Sequence, residues 1–183
     1  FKYVKSNSDE KYKFNIDLNS SEIILDDINF KKKENEEFFL TLVAVKKRNK
    51  FEIKNLKLFN NKNKFNLKNI KFGKDFHISD FNLIAANYYN NDKYLNNISI
   101  IKKNNIINLN SKSFDISSNI EKILRSQSKG SFLDIFENLN ASININIKSA
   151  KLDKEYNLNN LSGKVLIKNS EIYKANILGK FDT

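Results

Sequence analysis

Cysteine, proline, methionine and tryptophan are all missing from this 183-residue chain, and glycine occurs only four times. Without cysteine there is no disulfide framework, no thiolate metal site and no cysteine nucleophile. Average usage of about 5% would supply about nine prolines, so their absence is a strong bias. The glycines (Gly73, Gly130, Gly163, Gly179) make neither a phosphate-cradling loop nor a dinucleotide fingerprint. His77, the lone histidine, excludes a multi-histidine metal site, and no nucleophile-elbow sequence accompanies it. Adjacent acids such as Asp26-Asp27 and Glu36-Glu37 would point to opposite faces of a strand, which rules them out as a glycosidase dyad. This inventory predicts a non-catalytic chain with no cofactor and no metal.

No apolar run approaches the roughly 20 residues of a membrane-spanning helix, and no signal-peptide pattern opens the chain. Beginning at Phe1 without a methionine, the sequence reads as part of something longer or as a mature product. Any anchor or export signal would then lie outside it.

Asparagine, lysine, isoleucine and phenylalanine dominate what is present, with 32 asparagines. That set resembles codon bias in an AT-rich genome. The formal net charge of +11 is concentrated. Lys46, Lys47, Arg48, Lys50, Lys54, Lys57, Lys62, Lys64, Lys68, Lys71 and Lys74 face a single acid, Glu52. Such a stretch attracts phosphate on nucleic acid or on anionic lipid headgroups. It equally describes lysines on the solvated face of strands, where they discourage edge-to-edge aggregation.

Period-two alternation is the main structural signal. Phe14, Ile16 and Leu18 alternate with polar residues, as do Ile143, Ile145 and Ile147, placing the apolar groups on one face of a sheet. Strand-like runs follow at 38–45, 51–59, 65–72, 76–84, 98–101, 106–110, 164–168 and 172–178. Turn-like clusters such as Asn60-Asn61-Lys62-Asn63 and Asn90-Asn91-Asp92 separate them.

A short repeat recurs along these strands: aliphatic, polar, Asn or Asp, apolar, then a small polar residue or Lys. Copies start at Leu25, Ile53, Leu67, Ile78, Leu95 and Leu158. The apolar phase changes parity inside each copy, so a strict strand would send its halves to opposite faces. An Asn or Asp at the break either forms a bulge that keeps both halves on one face, or ends one strand and starts the next. Repeated bulges would curve the sheet.

One segment departs from this pattern. Ser118-Asn119-Ile120-Glu121 fits a capping box, and Ile120, Ile123 and Leu124 follow at helical spacing. The spacing predicts a helix over 118–127, a helical turn at 132–137 and a boundary near 128. The expected fold is mainly β: an antiparallel curved or twisted sheet, a groove or an open barrel-like meander, with one or two short helices near 118–137. Residues 1–127 would form an N-terminal unit and 128–183 the start of a second.

That second unit resembles the AsmA-like family, in its YhdP- and TamB-type branch of large envelope proteins. The resemblance runs through Ala141–Ile147, Ala150-Lys151-Leu152, the Leu158–Val165 run (Leu-Asn-Asn-Leu-Ser-Gly-Lys-Val) and Ile177–Phe181. Upstream, Asp17–Ser21 and the Ser-Phe-Asp-Ile-Ser element at 113–117 look like the corresponding family regions. The resemblance implies long curved sheets with an apolar groove, held periplasmically by an inner-membrane anchor. It further implies conduction of phospholipid between inner and outer membranes, or outer-membrane homeostasis. No family residue is catalytic, and the heavy Lys and Asn load and scarce Gly depart from the family pattern.

A sheet with one apolar face must cover it. With few helices, the cover is the sheet itself, another subunit or lipid. Candidates to line a lipid groove are Phe51, Ile53, Leu56 and Leu58; Phe65, Leu67, Ile70 and Phe72; Ile78, Phe81 and Leu83; and Ile143, Ile145, Ile147, Val165 and Ile167. The same residues would also make an ordinary closed core. Expected partners are phospholipid acyl chains, an anionic membrane surface and the rest of a parent chain, with no specific nucleic acid. The competing reading is a basic β module that binds nucleic acid or another polyanion.

Overall fold

The computed structural model describes residues 2–6, 9–47, 50–73, 77–117 and 139–181. Their strands are β1 (Lys2–Ser6), β2 (Asp9–Asp17), β3 (Ile23–Leu25), β4 (Phe30–Lys32), β5 (Phe39–Lys47), β6 (Lys50–Phe59) and β7 (Lys64–Phe72). They continue as β8 (Ile78–Asp80), β9 (Leu83–Tyr89), β10 (Leu95–Lys103), β11 (Ile106–Asp115), β12 (Ala141–Lys151), β13 (Asn157–Lys168) and β14 (Glu171–Phe181). One open, curved sheet runs β1-β2-β5-β6-β7-β9-β10-β11-β12-β13-β14, with β8 also paired to β7. β3 and β4 form a separate hairpin. The mainly β, curved-sheet expectation is met.

Asparagine chemistry closes the turns. The Asn60 side-chain oxygen accepts from the backbone N–H of Lys62 and Asn63 at 2.9 and 2.7 Å. Asn90 does the same for Asp92 and Tyr94 at 3.1 and 2.9 Å. Both are Asx turns, which substitute for proline and glycine in a chain poor in each.

Asparagine also makes the bends. Asn69 and Asn160, the third residues of their repeat copies, both sit at φ 51°, in the left-handed region that asparagine tolerates best after glycine. The Leu95 copy carries a register shift between Asn97 and Ile98, and β5 shifts at Val43/Ala44 opposite the Ile53 copy. Phe65 and Leu67 before the Asn69 bend, and Ile70 and Phe72 after it, therefore reach the same apolar side. At Leu25 the repeat becomes a 3-10 turn, Asp26–Ile28, closed by Asn29 at φ 50°.

Two features depart from the sequence reading. The run at 76–84 is not one strand: β8 stops at Asp80 and β9 begins at Leu83. The sheet is also not wholly antiparallel, because β11 and β12 pair in parallel, from Ile106 opposite Ser142 to Asp115 opposite Lys151. A parallel pair needs a crossover of a dozen residues or more, and the chain from Ile116 to Asn140 supplies it. The helix expected at 118–127, the turn at 132–137 and the boundary near 128 lie outside the described residues. On either side of that boundary the chain contributes to one hydrogen-bonded sheet.

Candidate functional site: a continuous apolar face

Residues directly opposite each other in neighbouring strands share a face of the sheet. Tracing partners from β2 gives one unbroken line: Phe14, Leu42, Leu56, Leu67, Ile84, Ile100, Leu109, Ile145, Gly163, Ile177. Every side chain in it is apolar, and Gly163 has none. At about 4.8 Å between strands, the line is about 43 Å long. One residue along, the opposite face carries Asn15, Thr41, Lys57, Asn66, Ala85, Ser99, Asn110, Asn146, Ser162 and Leu178. The first side is the inner face below, the second the outer.

From Phe14 to Ile145 the inner line is half-buried throughout. Its flanks are more deeply covered. On one side lie Phe65, Ile98, Ser111, Ile147 and Leu161; on the other lie Ile70, Ile107 and Val165. Ser111, the polar member, donates its hydroxyl to the Asn97 carbonyl at 2.6 Å. The inner line is thus half-buried between two more deeply buried flanks of the same face.

The segment from Leu18 to Phe38, inserted between β2 and β5, covers one flank. Phe30 packs edge-on against Phe65 at 4.9 Å and against Tyr88 at 5.8 Å. Phe38 and Tyr88 are completely buried there, and the Tyr88 hydroxyl donates to the Ile28 carbonyl at 3.1 Å. Burial, with Asp115 nearby, pushes the Tyr88 phenol well above its usual range and keeps it a neutral donor. Lys32 is buried as well. Its ammonium group donates to the carbonyls of Leu18, Asn19 and Ser21 at 2.7, 2.8 and 2.6 Å, using all three N–H bonds to pin the insert.

The sequence-derived lining set divides on this geometry. Ile53, Leu67, Ile70, Phe72, Ile78, Phe81, Ile143, Ile145, Val165 and Ile167 belong to one contiguous cluster. Leu58 and Phe65 pack beneath the insert, and Ile147 joins a third cluster with Ala150 and Leu161. Leu56 lies in the inner line, and Phe51 shares that side at the strand end, 43% exposed. Leu83 is a correction. It stands opposite Lys68 and Ile101, which puts it on the outer face. The break at Phe81-Asn82 resets the alternation, and a one-residue slip reverses every side chain.

The same slip hid Ile84, Ala86 and Tyr88, which carry the inner face through β9. Phe14, Leu42, Ile100 and Leu109 were missed too, although their own alternation marks them. Phe30 left no periodic signal, since its burial comes from the tertiary packing of an irregular insert, whereas Phe38 heads the run at 38–45 in phase with Leu40 and Leu42.

Much of the basic stretch lies on the other side of the sheet. Lys57, Lys64, Lys68 and Lys71 alternate with inner residues and so belong to the outer face. Lys47 and Lys50 pair with each other at a strand end, where Lys46 stands opposite Phe51. Lys54 pairs with Glu52 at 2.7 Å. Asp80 bridges Lys71, at 3.1 Å, and Lys102. Burial alone would raise the Asp80 carboxyl, but those two ammonium groups hold it below its usual value. Arg48 and Lys74 lie outside the described residues.

His77 is exposed. Among the described residues, no group of three His, Cys, Asp or Glu side chains could hold a metal ion, and no helix is long and apolar enough to cross a membrane. Comparison with protein families, curated proteins and solved structures finds no match to this chain.

Proposed function

We propose that this chain is a non-catalytic segment of an AsmA-like envelope protein whose inner face shelters phospholipid acyl chains. The observation that carries the reading is the half-buried apolar line crossing the sheet from Phe14 to Ile145. Acyl chains gain about 0.8 kcal/mol per buried CH₂, so a dozen methylenes would contribute on the order of 10 kcal/mol before ordering costs. Such binding requires an accessible apolar floor and no reactive side chain. In the parent protein the segment would serve lipid movement between inner and outer membranes, or outer-membrane homeostasis, from the periplasmic side of an inner-membrane anchor.

Outer-face lysines support the competing reading of a polyanion-binding module, and one experiment separates the two. Lipids are extracted from the purified chain and identified by mass spectrometry. Co-purifying phospholipid is the expected result. Its absence, together with salt-sensitive binding to a polyanion, would overturn the groove.

A further inference from the structure

β11 and β12 are adjacent and parallel, so the chain joining them returns from the end of one to the start of the other across one face of the sheet. The described residues at both ends of that passage lie on the inner side. Ile116, leaving β11, packs against the cluster of Ile147, Ala150 and Leu161. Leu139, arriving at β12, is buried with Ile107, Val165 and Ile167, and its N–H donates to the Ser170 hydroxyl at 2.9 Å.

Strand chirality points the same way by a separate route. Ser142 donates its backbone N–H to the Asn105 carbonyl at 2.8 Å, so the odd-numbered residues at the start of β11 direct their backbone groups toward β12. Leu109 shares that parity and belongs to the inner line. In a strand of L-residues running upward, a residue whose side chain faces the viewer sends its N–H and C=O to the right. Seen from the inner side, β12 therefore stands to the right of β11. A connection that carries the chain rightward in front of the sheet is right-handed, the hand of about 98% of such crossovers.

We propose that the chain between Ile116 and Leu139 crosses the inner face over β11 and β12, so that the sheet's apolar side is covered there by a segment of its own chain. The ten residues of β11 extend about 33 Å. The 22 connecting residues reach that far even at a helical rise of about 1.5 Å each. They bring Ile120, Ile123, Leu124, Phe132, Ile135 and Phe136 to a face that needs an apolar cover. An acyl chain sheltered on that face, as proposed above, would meet this segment as well as the sheet. The route itself does not depend on lipid.

Because the chain has no cysteine, Ser126→Cys, Ser128→Cys and Ser131→Cys each give one site for a nitroxide label. In the full chain stripped of lipid, the methyl signals of Leu109 and Ile145 report the inner side, and those of Ile101 and Ile106 the outer. Leu109 and Ile145 should lose most of their intensity until the label is reduced, while Ile101 and Ile106 keep theirs. Greater loss at the outer pair, equal loss at both pairs, or no loss from any of the three sites would overturn the proposal. With no lipid in the sample, that failure would leave the acyl-chain reading to the extraction experiment.

Discussion

Asp115 and Lys151 meet at the end of the sheet's parallel strand pair, standing opposite each other in the ladder with carboxylate and ammonium 3.0 Å apart. Around them, Asn90 donates to the same carboxylate at 2.8 Å, Ser117 donates to its other oxygen, and Asp92 lies 3.6 Å from the lysine. Burial opposes both charges, yet these partners hold Asp115 below and Lys151 above their usual values.

The sign of each shift defines a pH window. A carboxyl lowered on folding contributes stability above the unfolded value of about 3.9, lost as pH falls through the folded value. A raised lysine contributes below about 10.4 and loses its share as pH climbs past the folded value. Asp115→Asn should cost on the order of 3 kcal/mol at neutral pH, by leaving Lys151 short of its main partner. It should also flatten the acid limb. Urea midpoints between pH 2 and 7 read both effects; an unchanged acid limb would count against the pair.

Lys32→Met keeps the aliphatic stem but leaves three carbonyls without their donor. At about 1–3 kcal/mol for each unsatisfied group, loss of the insert's docking is expected. Hydrogen exchange should quicken between Leu18 and Phe38, while β12–β14 keep their protection.

Ile145→Asp and Leu67→Asp test the floor. Both sites are half-buried in the apolar line, so each variant should abolish lipid loading with the far-ultraviolet spectrum retained. Unfolding would instead identify a closed core.

Gly163 lies between Ile145 and Ile177 in the inner line, where a Cβ would come within 2.8 Å of the Ile177 Cα. Gly163→Val should therefore separate β14 from β13, seen as fast exchange confined to residues 171–181.

Replacing Lys57, Lys64 and Lys68 together with glutamine removes charge from the outer face alone. Salt-sensitive association with anionic vesicles should fall, while lipid loading holds. Loss of both would place lipid and charge on one surface.

Strands are legible in this sequence because alternation survives even heavy substitution by lysine and asparagine. Ile143, Ile145 and Ile147 declare both a strand and its buried side. At Asn69 and Asn160 the parity change alone left a bend and a strand break equally open, and the structure shows the bend, with each asparagine inside a continuous strand at φ 51°. Phase fails at the Ile78 copy, where the same Asp/Asn mark ends β8 at Asp80 instead of bending one strand, and Leu83 restarts on the other face. Topology fails for a different reason: nothing local in Ile106–Asp115 or Ala141–Lys151 states that the two run parallel. That relation joins segments separated by the chain from Ile116 to Asn140, so no local pattern records it.

The parallel seam also bears on the order of assembly. Strands β5 to β7 and β9 to β11, like β12 to β14, join through short hairpins whose closure is entropically cheap. Joining β11 to β12 requires bringing together ends separated by the whole stretch from Ile116 to Asn140, for slanted hydrogen bonds slightly weaker than antiparallel ones. Two meanders that form before they dock are the expected order, and pulse-labelled hydrogen exchange would read it as β11–β12 protection arriving last.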